Sequence, residues 1–139
     1  MTVSSAFIPK QGTLSDLAGW IAGDLGAAVA RLYSSNTVYT PDRVPSDYTE
    51  ASFIGYSPIS PLAWLTPFIN SAGKAETDSQ VLVWTFAGSS GTATAFGLYL
   101  TDPSQTKLLA VVPFITPVTL TPTDTTLSYV CQLTEVSEL

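Results

Sequence analysis

The chain has 139 residues, 11 acidic against 5 basic side chains for a net charge of −6, no histidine and one cysteine. Its cations, Lys10, Arg31, Arg43, Lys74 and Lys107, are scattered, so there is no basic stripe to displace phosphate counterions, and a nucleic-acid or anionic-lipid surface is not expected. The same counts exclude an intramolecular disulfide, a histidine-based catalytic triad and a finger-type zinc site.

Charged residues make up 12% of the chain and hydrophobic ones 45%, against about a quarter charged in ordinary globular domains. Polarity falls instead to Thr and Ser, and β-branched Thr suits a pleated surface. Such a face packs against a neighbour without desolvating an ion, which points to a protein made to be surrounded. A chain of this length buries roughly two thirds of its unfolded surface, enough for one core. Cys131 reads as a small buried apolar residue within it.

Residues 1–24 read as an N-terminal arm with one short helix, and residues 25–139 as a single β-domain. In the arm, Pro9 keeps Ile8 extended. Thr13 and Asp16 in TLSD have capping-box spacing. Leu14, Leu17, Ala18 and Ile21 then recur at helical spacing before Gly23, predicting a helix over 14–22. MTVSSAFIPKQGT lacks a basic region followed by an apolar run, so no secretory leader is expected. The longest tempting apolar stretch, WIAGDLGAAVARLY, is broken by Asp24 and Arg31, and no membrane span is expected.

From residue 27 a period of two takes over. AAVARLYSS (27–35) and TEASFIGY (49–56) are predicted strands. WLTPFINSAGKA (64–75) reads as an edge, because Pro67 cannot donate to a ladder. DSQVLVWTFAG (78–88) reads as a central strand, with Leu82, Trp84 and Phe86 on one face and Val81, Val83 and Thr85 on the other. A hairpin follows over 93–115. Phe96, Leu98 and Leu100 share one face of its first arm and Ala95, Gly97 and Tyr99 the other. Its turn, TDPSQTK, places Pro103 at a favoured second position, and Pro113 marks the end of the return strand or a bulge. VTLT (118–121) and LSYVCQLTE (127–135) complete the series. In the last, Leu127, Tyr129, Cys131 and Leu133 point inward, and Val130 breaks the alternation.

These segments predict an all-β fold of about eight short antiparallel strands in two sheets, a jelly-roll-like β-sandwich or a small barrel. Both faces of the 93–115 hairpin are apolar, so two covers are expected: a sister sheet, and either a neighbouring copy or the N-terminal helix.

Motifs for chemistry are sparse. GSSGTATAFG (88–97) lacks the lysine and following helix of a phosphate loop and reads as a hairpin turn. The acids lie mostly at turns. Glu50 is the exception, on a predicted strand, where it reads as a solvated acid or a partner for Arg31. DRVPSD (42–47) lacks the oxygen spacing of a calcium loop. Catalysis, a cofactor and a metal site are therefore not expected. Trp84, Phe86, Phe96 and Tyr99 read as core. Trp20, Tyr39, Tyr48, Tyr56 and Trp64 lie at element ends or in Pro-rich loops, where capping the core, anchoring a partner and stacking a sugar stay open.

LYSS (32–35), TEASFIGY (49–56), Trp64, VLVWTFAGSSGTATAFGLYLTD (81–102), the LLAVVPF return (108–114) and VTLTPTDTTLSYVCQLT (118–134) occur in an order that resembles small structural proteins of tailed-bacteriophage virions. The resemblance spans about residues 28–134. It rests on Thr-Glu-Ala-x-Phe-x-Gly-Tyr followed by Phe-Gly-x-Tyr-x-Thr-Asp. It implies a β-sandwich without catalysis, located in the virion. The leading expectation is a capsid decoration (cement) protein that binds the major capsid protein as a homo-oligomer, arranged as a trimer about a three-fold axis. The interface candidates are Phe7 and Ile8 in a reaching arm, with Trp20, Tyr39, Tyr48, Tyr56 and Trp64. A tail or baseplate protein, a host-glycan-binding module using Trp64, Tyr39 and Tyr56, and a lyase are the alternatives.

Overall fold

Alternation along 81–86 produces the strand it promises. Leu82, Trp84 and Phe86 are buried while Val81 and Val83 stand out to solvent. The computed structural model describes residues 19, 21–40, 42–87, 92–121 and 126–134. Within them lie six strands: β1 (Val29–Tyr33), β2 (Phe68–Ile69), β3 (Ala75–Thr85), β4 (Ala93–Thr101), β5 (Leu108–Leu120) and β6 (Thr126–Thr134). They form two three-stranded sheets, ordered β1-β4-β5 and β2-β3-β6, and every pairing is antiparallel.

Among the described residues the expected eight strands become six for two reasons. Residues 49–56 do not form a strand. Glu50 makes an isolated bridge to Tyr33, and the chain then turns at Gly55, whose φ of +91° an extended residue does not adopt. The second reason is that 108–115 and 118–121 join into the single strand β5. Pro113 and Pro117 are accommodated by a bulge: Gly97 pairs with Pro113 while Ala95 pairs with Val118. β5 is an edge of its sheet, where prolines and bulges are tolerated. The expected edge at 64–75 survives as the two residues of β2, extended by a bridge from Trp64 to Ser79.

That bulge also corrects the faces of β4. Ala95, not Phe96, joins Leu98 and Leu100 in the main core, while Phe96 packs with Tyr99 on the opposite side. One residue inserted out of register reverses the face of everything before it. The turn 102–107 is as expected. Gln105 N–H donates to Asp102 C=O at 3.0 Å, and the Asp102 carboxylate accepts from the amides of Thr106 and Lys107 at 2.7 and 2.8 Å.

Of the arm expected at 1–24, residues 1–18 and Trp20 lie outside the described residues. Of the helix expected over 14–22, the described part is one turn, in which Gly23 N–H donates to Gly19 C=O at 3.1 Å. A 3₁₀ turn at Leu25–Ala27 follows, burying Leu25, and β1 begins two residues later.

The main core takes side chains from both sheets: Leu32, Leu98, Leu100 and Val112 from one, Leu82, Trp84, Cys131 and Leu133 from the other. Each such aliphatic side chain contributes about 1.5–3 kcal/mol when fully buried. A second cluster lies on the far face of the β1-β4-β5 sheet, where Tyr33, Tyr99 and Val111 meet Tyr48. The second cover of the 93–115 hairpin is therefore the chain's own 34–56 segment. This explains why all five residues of β1 are buried although β1 is an edge.

Candidate interface

Under the 34–56 segment is a buried polar network. Arg31 Nη1 donates to both carboxylate oxygens of Glu50 at 3.0 and 3.2 Å, and its Nε donates to Thr101 Oγ1 at 3.2 Å. The Tyr56 hydroxyl donates to Glu50 Oε2 at 2.7 Å and accepts from Leu32 N–H at 3.2 Å. Burial, and then the hydrogen bond to Glu50, push the Tyr56 phenol far above its ordinary range. Beside it the rings of Tyr33, Tyr48 and Tyr99 pack with centroids 5.0, 5.3 and 6.0 Å apart. Burial pushes all three phenols up to about 12. Arg31, Leu32 and Tyr56 each donate to a fixed internal acceptor, while the Tyr48 hydroxyl is buried without a hydrogen-bond partner among the described residues. The network locks a loop onto a sheet.

A pair of acids lies on β3. Glu76 is buried and accepts from Asn70 Nδ2 at 3.0 Å. Asp78 is pushed up to about 6, by burial first and by the adjacent Glu76 carboxyl second. Among the described residues, no group of three or more His, Cys, Asp or Glu side chains lies together. Burial drives the Cys131 thiol far above its usual range.

The aromatic candidates disperse. Tyr48 is 5% exposed and belongs to the second core cluster, so its ring closes the fold and offers little surface to a partner. Tyr56 is taken up in the polar network. Trp64 packs against the main core, and its Nε1 donates to Leu25 C=O at 3.0 Å, pinning the segment before β2 to the 3₁₀ turn. Phe7, Ile8 and Trp20 lie outside the described residues. Tyr39 lines an open groove.

That groove belongs to a surface that strand periodicity does not announce. At the bulge of β5 the backbone is pushed outward, and Ile115 stands 72% exposed. On one side is a groove of about 380 Å³, bounded by Val38, Tyr39, Phe96 and the Pro113–Pro117 segment. On the other is a groove of about 330 Å³ between Phe114 and Val118 of β5 and Leu127 and Tyr129 of β6. The Phe114 and Tyr129 rings lie 5.1 Å apart and join the two strands. Val38, 70% exposed, stands at the rim. Among the described residues, neither groove is lined by a carboxylate or a cation. Exposed apolar area of this kind, without ions to desolvate, marks surfaces that meet a partner. Its only sequence signal is PFITP, two large apolar residues held between prolines.

Compared with protein-family models, curated proteins and solved structures, the chain matches none.

Proposed function

We propose that the protein is a structural subunit of a bacteriophage virion, a capsid decoration protein that binds the assembled shell of major capsid protein and stabilises it. The observation that carries this reading is the surface around Ile115, flanked by two apolar grooves that carry no charged side chain among the described residues, in a chain of net charge −6. The sharing of one core by both sheets supports packing as a β-sandwich, a rigid frame for such a surface. The mechanism is mass action. A ligand that binds only the assembled shell stabilises it by RT ln(1 + [L]/Kd) at each site, about 2.7 kcal/mol at a hundredfold excess over Kd. Phe7, Ile8 and Trp20 in residues 1–24 supply the further contacts of a reaching arm.

Co-sedimentation of the full chain with phage particles tests this. Ile115→Glu places a carboxylate on an exposed position, so the fold is retained while particle binding weakens by about tenfold or more. Unchanged binding overturns the assignment of the surface. Micrographs of particles carrying labelled protein separate a shell from a tail position. A second reading, a host-glycan-binding module, is favoured by Tyr39 lying with Asn36 and Thr37 in the larger groove. Glycan-array binding that Tyr39→Ala abolishes would support it in place of the capsid reading.

A further inference from the structure

Two three-stranded sheets have four edges, and a row of unpaired backbone donors and acceptors along an edge is a template for another strand. Three of the four are guarded. β1 is bridged by Ile59, with paired hydrogen bonds to Ala30 at 2.8 and 3.0 Å, and by Glu50. β2 is two residues long and follows Pro67. β5 carries Pro113, Pro117 and the bulge. The fourth, β6, has β3 on one side and, among the described residues, no strand on the other. Its nine residues, TLSYVCQLT, contain no proline and no charge.

The sequence of β6 is also nearly its own reverse. Read outward from Val130, it places Tyr129 against Cys131, Ser128 against Gln132, Leu127 against Leu133 and Thr126 against Thr134. An antiparallel pair of two copies centred on Val130 would bring together those same partners: two inward-facing residues, two polar outward-facing ones, Leu with Leu, Thr with Thr. The backbone has the matching phase. Cys131 N–H points toward β3, donating to Ser79 Oγ at 2.9 Å. Backbone direction alternates along a strand, so Ser128, Val130 and Gln132 turn their N–H and C=O groups to the open edge. Val130 on the axis would then face its twin as a hydrogen-bonded pair, and Ser128 would exchange two bonds with Gln132 of the second copy. Copies of an acidic chain repel, but this strip carries no ion, and Val81 and Val83 beside it on β3 are 60% and 46% exposed.

We propose that the free edge of β6 is a self-association site, where a second copy of this chain adds its own β6 antiparallel about a two-fold axis through Val130, joining two three-stranded sheets into one of six. This contact is isologous, in place of the three-fold contact expected from the resemblance. It stands whether or not the protein belongs to a virion.

Sedimentation equilibrium of the full chain tests it, together with two double variants on the outer face. Ser128→Lys with Gln132→Lys sets like charges opposite one another across the axis. Ser128→Lys with Gln132→Glu sets opposite charges there. The wild type and the Lys/Glu variant are expected to have the mass of a dimer, and the Lys/Lys variant that of a monomer with unchanged circular dichroism. Amide exchange should slow at Ser128, Val130 and Gln132 as concentration rises. A wild-type monomer at 100-fold the concentration used for circular dichroism overturns the proposal, as does a dimer that the Lys/Lys variant leaves intact.

Discussion

Arg31 and Glu50 form a two-oxygen ion pair, at 3.0 and 3.2 Å, in which the guanidinium side chain is 8% exposed and the carboxylate 28%. The pair ties β1 to the segment that crosses the outer face of its sheet. Removing the carboxylate strands a nearly buried cation. Glu50→Gln is expected to destabilise the fold by about 2–4 kcal/mol in urea denaturation. Adding Arg31→Met to that variant recovers part of the loss, because the uncompensated charge goes with it.

Gly97 is fixed by close approach. A Cβ at this position would lie 2.6 Å from both the Tyr33 hydroxyl and the Val112 carbonyl. Gly97→Ala therefore forces the Tyr33 ring or the β4–β5 ladder to move, and is expected to cost about 1–3 kcal/mol. Wild-type stability in this variant, measured by thermal unfolding, would show that the two strands approach less closely.

Asp78 gives stability a pH dependence of defined sign. Its folded-state pKa of about 6 lies above the ordinary 3.8, so between those values the folded chain holds a proton that the unfolded chain has lost. Stability from this group is present below pH 4 and is lost as pH rises toward 6. Asp78→Asn should flatten the stability profile between pH 4 and 6 and raise stability at pH 7, by about 1 kcal/mol once solvent screening of a part-exposed group is allowed for. A profile identical to the wild type would show that Asp78 ionises normally.

Gln105 sits at φ +57° in the β4–β5 turn, a left-handed conformation that costs a side-chain-bearing residue roughly 1 kcal/mol. Gln105→Gly relieves that strain but widens the unfolded ensemble, and the net expected effect is a small gain of about 0.5 kcal/mol. Loss of stability would place the Gln105 side chain in a contact that matters.

The sequence was most legible where one face of a strand meets the core and the other meets water. β3 and β6 show this, and even the odd Val130 is explained by its cross-strand pairing with exposed Val81. The β4–β5 hairpin was legible in its start and its turn, but not in its far end, where β5 runs on to Leu120. Periodicity failed where the chain departs from a regular ladder. The bulge opposite Ala95 and Gly97 moves Phe96 to the other face. Residues 49–56 alternate like a strand, yet their backbone meets β1 only in an isolated bridge at Glu50 and neighbouring hydrogen bonds, and Gly55 reverses the chain. Such contacts join residues far apart in sequence, and no local pattern carries them. The interface was read from aromatic rings near loops, but Tyr48 and Tyr56 have jobs inside the fold. The exposed apolar surface at the grooves is built by Ile115 and Val38, of which only Ile115 carries a compositional mark, the prolines at 113 and 117.

The central claim is that the apolar surface around Ile115 joins this protein to an assembled shell. A cryo-EM reconstruction of intact particles at a resolution that traces the chain tests it most directly. The account predicts density for this fold seated on the capsid with Ile115 and the groove at Val38 and Tyr39 turned into the contact. A particle lacking this chain, or one that carries it with that surface facing solvent, would contradict it.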